Sequence, residues 1–84
     1  MSQKRHLSQI AREIHNETCG KSWYGFAKPY IIACLSIHSS DPDAKYLYED
    51  ARSIVMYLLS NLQYWRGETA RRIKQELKQN YNIK

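Results

Sequence analysis

The chain has 84 residues but only two cysteines, two prolines, three glycines and one phenylalanine, and each scarcity removes a class of explanation. Cys19 and Cys34 are too few and too irregularly placed for a secreted disulfide framework, so two free thiols in a reducing compartment are expected. The longest apolar runs, Tyr30 to Leu35 and Ile54 to Leu59, have six residues each, where a membrane helix needs about 20. The opening Met1-Ser2-Gln3-Lys4-Arg5-His6 leads into no signal-type apolar stretch. The expectation is a soluble, cytoplasmic protein, in a host cell or a bacterium, with no membrane partner.

Glycine is missing where nucleotide chemistry would need it. Gly20-Lys21-Ser22 looks like the end of a phosphate-binding loop, but the position five residues before Gly20 is His15 and no strand precedes it. No serine sits in a glycine-flanked elbow, and no cysteine and histidine come with an orienting third group. Two His/Cys pairs at a spacing of four, His15 with Cys19 and Cys34 with His38, suggest a zinc site. Antiparallel helices joined by a short loop would set His15 beside Cys34, and would put Cys19 and His38 about two turns, or 11 Å, apart along the axis. Zinc ligands cannot span that distance, so Cys34 reads as a small core residue and the histidines as partly exposed; a crossed helix pair would revive the metal. Asp41, Asp43, Glu49 and Asp50 read as turn and cap residues. The expectation is therefore no enzyme, no catalytic residues, no cofactor and no metal.

Two-residue alternation and internal repeats are also lacking, whereas helical periodicity is plain. Leu7, Ile10, Ala11 and Ile14 predict a helix over about 5–18, stopped near Cys19-Gly20. Pro29 suits a first helical turn and predicts a second helix over about 29–38, after an aromatic loop at residues 20–28. Ser39-Ser40-Asp41-Pro42-Asp43 is a break. Ala51, Ile54, Val55, Leu58 and Leu62 predict a third helix over about 48–61, covered on several sides. Ala70, Ile73, Leu77 and Tyr81 share one face of a fourth over about 68–80, begun by Gly67 or Thr69. The fold class is all-α, one small domain spanning residues 1–84, with three to four short helices packed around the central apolar helix.

The net charge of +5 is unevenly spread. Residues 1–28 carry five basic and two acidic groups, 29–65 two and four, and 66–84 six and two. A basic surface from both ends, around a slightly acidic middle, favours encounters with nucleic acid or an acidic protein. On the fourth helix Glu68, Arg72 and Glu76 stand four apart and can pair with one another, while Arg71, Lys74 and Lys78 form a second stripe that Glu68 only partly offsets. A charged helix face is often merely solvated. Here Arg66 precedes the helix, Lys84 follows it, and Lys4, Arg5 and Arg12 add charge from the other end.

Trp23, Tyr24, Phe26 and Tyr30 cluster within nine residues; such rings either cap a small core or serve as a base-stacking platform or protein-binding hot spot. Tyr64 and Trp65 face the same choice, and Trp65 is expected to wedge between the third and fourth helices.

Phe26-Ala27-Lys28-Pro29-Tyr30, the run Asp50-Ala51-Arg52-Ser53-Ile54-Val55-Met56-Tyr57-Leu58-Leu59-Ser60-Asn61, and Trp65-Arg66-Gly67-Glu68-Thr69-Ala70-Arg71-Arg72-Ile73-Lys74 resemble small uncharacterised helical proteins encoded by phages and prophages of Gram-positive bacteria. The resemblance covers about residues 10–80 and assigns no activity to any of them. It implies an accessory setting in which small proteins bind a host enzyme or act on nucleic acid.

The expectation with most support is a non-enzymatic accessory or regulatory protein acting by binding. Arg66, Arg71, Lys74 and Lys78 would meet an acidic host or phage protein, with Trp23 or Tyr24 as buried anchors. The alternative is a nucleic-acid-binding protein in which the last two helices act like a helix-turn-helix pair, or bind phosphates without sequence preference. A homodimer through the third helix or the aromatic loop is a third possibility, since so small a core gains from partner burial.

Overall fold

The computed structural model describes residues 4–41, 43–46 and 49–83. Pro42 of the predicted break and Lys84 of the basic end lie outside them. Among the described residues the fold is all-α, with α1 at Leu7–Thr18, α2 at Tyr24–Leu35, α3 at Ala51–Ser60 and α4 at Glu68–Asn80. One antiparallel pair of two-residue strands, β1 at Lys45–Tyr46 and β2 at Glu49–Asp50, precedes α3. No described helix is long and apolar enough to cross a membrane.

The apolar stripes meet in a single core. Leu7, Ile10, Ala11 and Ile14 of α1, Ala27, Ile31 and Cys34 of α2, Ala51, Ile54, Val55 and Leu58 of α3, and Ala70, Ile73 and Leu77 of α4 are all buried, together with Trp65 and Tyr81. The α3 run is covered on one side only: Met56 and Tyr57 are 45% and 51% exposed.

The second helix begins a turn earlier than Pro29 suggests. Pro29 lies inside α2, at the cost of the one hydrogen bond its missing N–H would have made. Starting at Tyr24 adds buried Ala27 to the stripe of Ile31 and Cys34. The same helix stops at Leu35 rather than His38, because the segment after it is used elsewhere. Leu7 N–H donates to the Ser39 carbonyl at 2.8 Å and Ser8 N–H to that of Ile37 at 2.9 Å, which satisfies first-turn donors of α1.

Of the four acidic residues of the middle, Asp41 and Asp50 do turn and cap work with their side chains, whereas Glu49 lies in β2. Asp50 Oδ1 accepts from Ser53 N–H at 2.8 Å at the start of α3, and Asp41 Oδ1 accepts from Asp43 N–H at 2.9 Å. The end of α4 is closed by Asn82, at φ 56°, which turns the chain so that Ile83 N–H reaches the Lys78 carbonyl at 2.8 Å. Arg52 of α3 donates Nε to the Tyr81 carbonyl at 3.0 Å, fastening the end of α4 to α3.

The phenol oxygen of Tyr81 is buried with no hydrogen-bond partner among the described residues. Burial first, and then Cys34, Asp41 and Glu76, push that phenol up to about 12, and burial alone pushes the Cys34 thiol from an ordinary 9.0 to about 12. An unpartnered buried hydroxyl is destabilising, so Tyr81→Phe is expected to raise stability by about 1 kcal/mol in urea unfolding. Both groups hold their protons more tightly folded than unfolded. The stability they contribute is complete below pH 9.0, and is lost as pH rises through about 12. Tyr81→Phe should therefore also lose less stability than wild type above pH 10.0. A loss of stability at neutral pH would mean that the hydroxyl is satisfied after all.

Candidate functional site

The two flanks of α4 differ in what they face. With Ala70, Ile73 and Leu77 against the core, Arg72 and Glu76 fall on one flank, and Arg71, Lys74 and Lys78 on the other. On the first flank the charges are consumed. Arg5 forks onto Glu76, Nε to Oε2 at 2.9 Å and Nη2 to Oε1 at 2.6 Å, and also donates to Glu13 Oε1 at 2.9 Å. Arg72 donates to the other oxygen of Glu13 at 2.5 Å. Burial opposes ionisation of Glu13, but the hydrogen bonds from Arg5 and Arg72 outweigh it and hold its carboxyl below the usual range. Glu76 holds the Arg5 guanidinium more firmly charged than usual, against its burial, with Glu13 adding to the effect.

The pairing that helical spacing suggests among Glu68, Arg72 and Glu76 is thus replaced by pairing across to α1 and the segment before it. Spacing along one helix does not show what a neighbouring helix offers. Arg5 is correspondingly withdrawn from any shared basic surface.

On the second flank no carboxylate pairs with Arg66, Arg71, Lys74 or Lys78 among the described residues. Arg66, Arg71 and Lys78 are exposed. Lys74 is half-buried and donates Nζ to the Trp65 carbonyl at 2.6 Å, at the corner leading into α4. Burial, and then the like charges of Arg66 and Lys78, push its ammonium below the ordinary 10.5. Two clefts share this lysine. One, of about 290 Å³, is lined by Trp65, Arg66, Gly67, Ala70, Arg71 and Lys74. The other, of about 370 Å³, lies between α3 and α4 and is lined by Met56, Leu59, Ser60, Lys74, Lys78 and Ile83. The two clefts adjoin at Lys74 as a groove along the cationic flank of α4, with Met56, Leu59 and Ile83 as the apolar lining of the second.

Local sequence explains the groove. Gly67, at φ 114°, takes a backbone conformation that a side chain would strain, and aims α4 away from the Trp65 corner. Trp65 is 5% exposed, and its ring fills the core at that corner. Ile83, folded back by Asn82, closes the far end. An asparagine two residues beyond a helix is a readable signal for such a closure.

The aromatic residues divide. Trp23 and Tyr24 are half-buried and pack against the core, and the Tyr24 hydroxyl lies 2.6 Å from His15 Nδ1. Burial, with a contribution from Cys19, pushes the Tyr24 phenol up. His15 thus takes Tyr24, the first residue of α2, as its neighbour. No group of three or more His, Cys, Asp or Glu side chains converges among the described residues. The most exposed rings are Phe26 at 71% and Tyr64 at 66%. They line a further hollow of about 230 Å³ with Ser60, Asn61 and Gln63.

Neither a protein-family model, nor a curated protein, nor a solved structure matches this chain. The chemistry of the α3–α4 face therefore carries the functional reading.

Proposed function

We propose that the protein is a non-enzymatic accessory protein of the phage or prophage kind its sequence resembles, and that it acts by binding nucleic acid through phosphate contacts from Arg66, Arg71, Lys74 and Lys78. The observation that carries this reading is the asymmetry of α4: one flank is neutralised by carboxylates, while the other keeps four cations along a groove without a paired carboxylate. A groove with spaced point charges suits a phosphate backbone, whose charges are themselves regularly spaced.

The other sequence-based versions lose specific support. Trp23 and Tyr24, the anchors of the acidic-protein version, pack against the core. The helix-turn-helix version needs a turn of about three to four residues, whereas residues 61–67 connect α3 to α4, and the basic stripe faces the α3 groove. Backbone binding without base readout remains.

Fluorescence anisotropy with labelled oligonucleotides at several salt concentrations tests the proposal. Four phosphate contacts on a single strand predict a log–log salt slope of about −3, so that affinity falls roughly 50-fold between about 50 and 200 mM salt. No binding to single- or double-stranded DNA or RNA at low salt, with retained binding to an acidic polypeptide, would return the groove to the acidic-protein version.

A further inference from the structure

The hollow beside the basic groove has a composition that phosphate binding alone does not use. Phe26 and Tyr64 are 71% and 66% exposed, a large area of ring for a chain whose core is this small. Phe26 comes from the first turn of α2 and Tyr64 from the corner after α3, so the two rings are brought together only by the fold. Between them lie Ser60, Asn61 and Gln63, which are neutral hydrogen-bonding side chains. Asn61 Nδ2 is already used, donating to the Tyr57 carbonyl at 2.8 Å. Asn61 Oδ1 and the exposed Gln63 amide make no hydrogen bond among the described residues, which leaves an acceptor and a donor available in the lining. Tyr30 and Tyr57 extend the aromatic face, their ring centroids 5.8 Å apart.

Ser60 lines both this hollow and the α3–α4 groove, so the aromatic and basic surfaces are continuous. None of the residues lining the hollow or the two basic clefts is a carboxylate.

We infer that the Phe26–Tyr64 hollow is a stacking site for an unpaired nucleobase, which makes the protein a binder of single-stranded nucleic acid. The backbone of the strand runs along Lys74, Lys78, Arg71 and Arg66, and a base turned off that backbone enters the hollow beside Ser60. Every base has a π-face, so the rings grip without selecting sequence. A duplex keeps its bases stacked on one another and reaches only the cations. The occupant is fixed by charge and chemistry together: an anionic chain for the groove, joined to planar apolar groups for the hollow.

This inference rests on the phosphate reading of the groove, and one set of titrations separates the two. Wild type, Phe26→Ala/Tyr64→Ala and Phe26→Trp/Tyr64→Phe are titrated against a labelled single strand of about 20 nucleotides and the duplex of the same length, which exceed the usual footprint of such sites. Both rings are largely exposed, so the alanine variant should fold, and unchanged circular dichroism and melting would show that it does. The inference expects wild type to prefer the single strand by about tenfold or more, and the alanine variant to lose about tenfold on the single strand with little change on the duplex. The variant that keeps both rings aromatic should retain the single-strand affinity.

Equal affinity of wild type and the alanine variant for the single strand would overturn the stacking site and leave the phosphate groove standing. Binding to neither form of nucleic acid would overturn both. A wild-type dimer by light scattering that becomes monomeric in the alanine variant would assign the rings to a second copy of the chain, and would also overturn the inference.

Discussion

Reversing two charges on α4, Arg71→Glu with Lys78→Glu, is expected to weaken oligonucleotide binding by at least about 100-fold, because two phosphate contacts become two repulsions. The fold should be unaffected. Both side chains are exposed, and neither forms an ion pair among the described residues, whereas Lys74 is left intact because it holds the Trp65 carbonyl. The matching control is Arg12→Glu with Lys21→Glu, two exposed cations away from the groove that carry the same change in net charge. The control should lose only a few-fold, through the weaker overall field. Equal losses in the two variants would show that binding follows net charge, with no dedicated face.

The largest effect on stability is expected at Leu58. It is fully buried among side chains of the common core, and Leu58→Ala should cost about 2–5 kcal/mol, through lost transfer energy and the cavity left behind. In a domain of this length each kcal/mol lowers the melting temperature by about 4–8 °C, so a drop of at least about 8 °C is predicted by circular dichroism. Two residues earlier, Met56 is 45% exposed, and Met56→Ala should stay within about 0.5 kcal/mol of wild type. A Met56→Ala loss as large as that of Leu58→Ala, dependent on protein concentration, would mean that a second copy covers the outer side of α3.

Legibility from sequence followed the range of the interactions involved. α4, and α1 apart from its first residues, could be read almost to the residue. Leu7, Ile10, Ala11 and Ile14, and likewise Ala70, Ile73, Leu77 and Tyr81, repeat at the helical period, and each stripe is buried. α2 was harder. Its composition is apolar on nearly all sides, so periodicity could not place its start, and Pro29, a sound start signal, stands five residues inside the helix. The strands at Lys45–Tyr46 and Glu49–Asp50 are too short for any alternation to show.

The candidate site divides in the same way. The stripe of Arg71, Lys74 and Lys78 follows from helical geometry alone. The neutralisation of the opposite flank does not, because it depends on Arg5 and Glu13 reaching across to pair with Glu76 and Arg72. The hollow depends on Phe26 of α2 and Tyr64 after α3 lining one space, although they stand 38 positions apart in the chain. Local spacing marks which rings are near one another in the chain; the fold decides which of them share a face. Trp23 and Tyr24, adjacent to Phe26 in sequence, turn toward the core, and Tyr64 takes the place beside it.

The most direct measurement is an amide chemical-shift titration of isotope-labelled protein with a short single-stranded oligonucleotide at low salt. The account predicts saturable shifts along Arg66 to Lys78 on the groove flank of α4, together with Met56, Ser60 to Tyr64 and Phe26. Shifts confined to the hollow on the far side, lined by His6, Ser8, Gln9, Arg12 and His38, would contradict it. So would the absence of shifts at any oligonucleotide concentration.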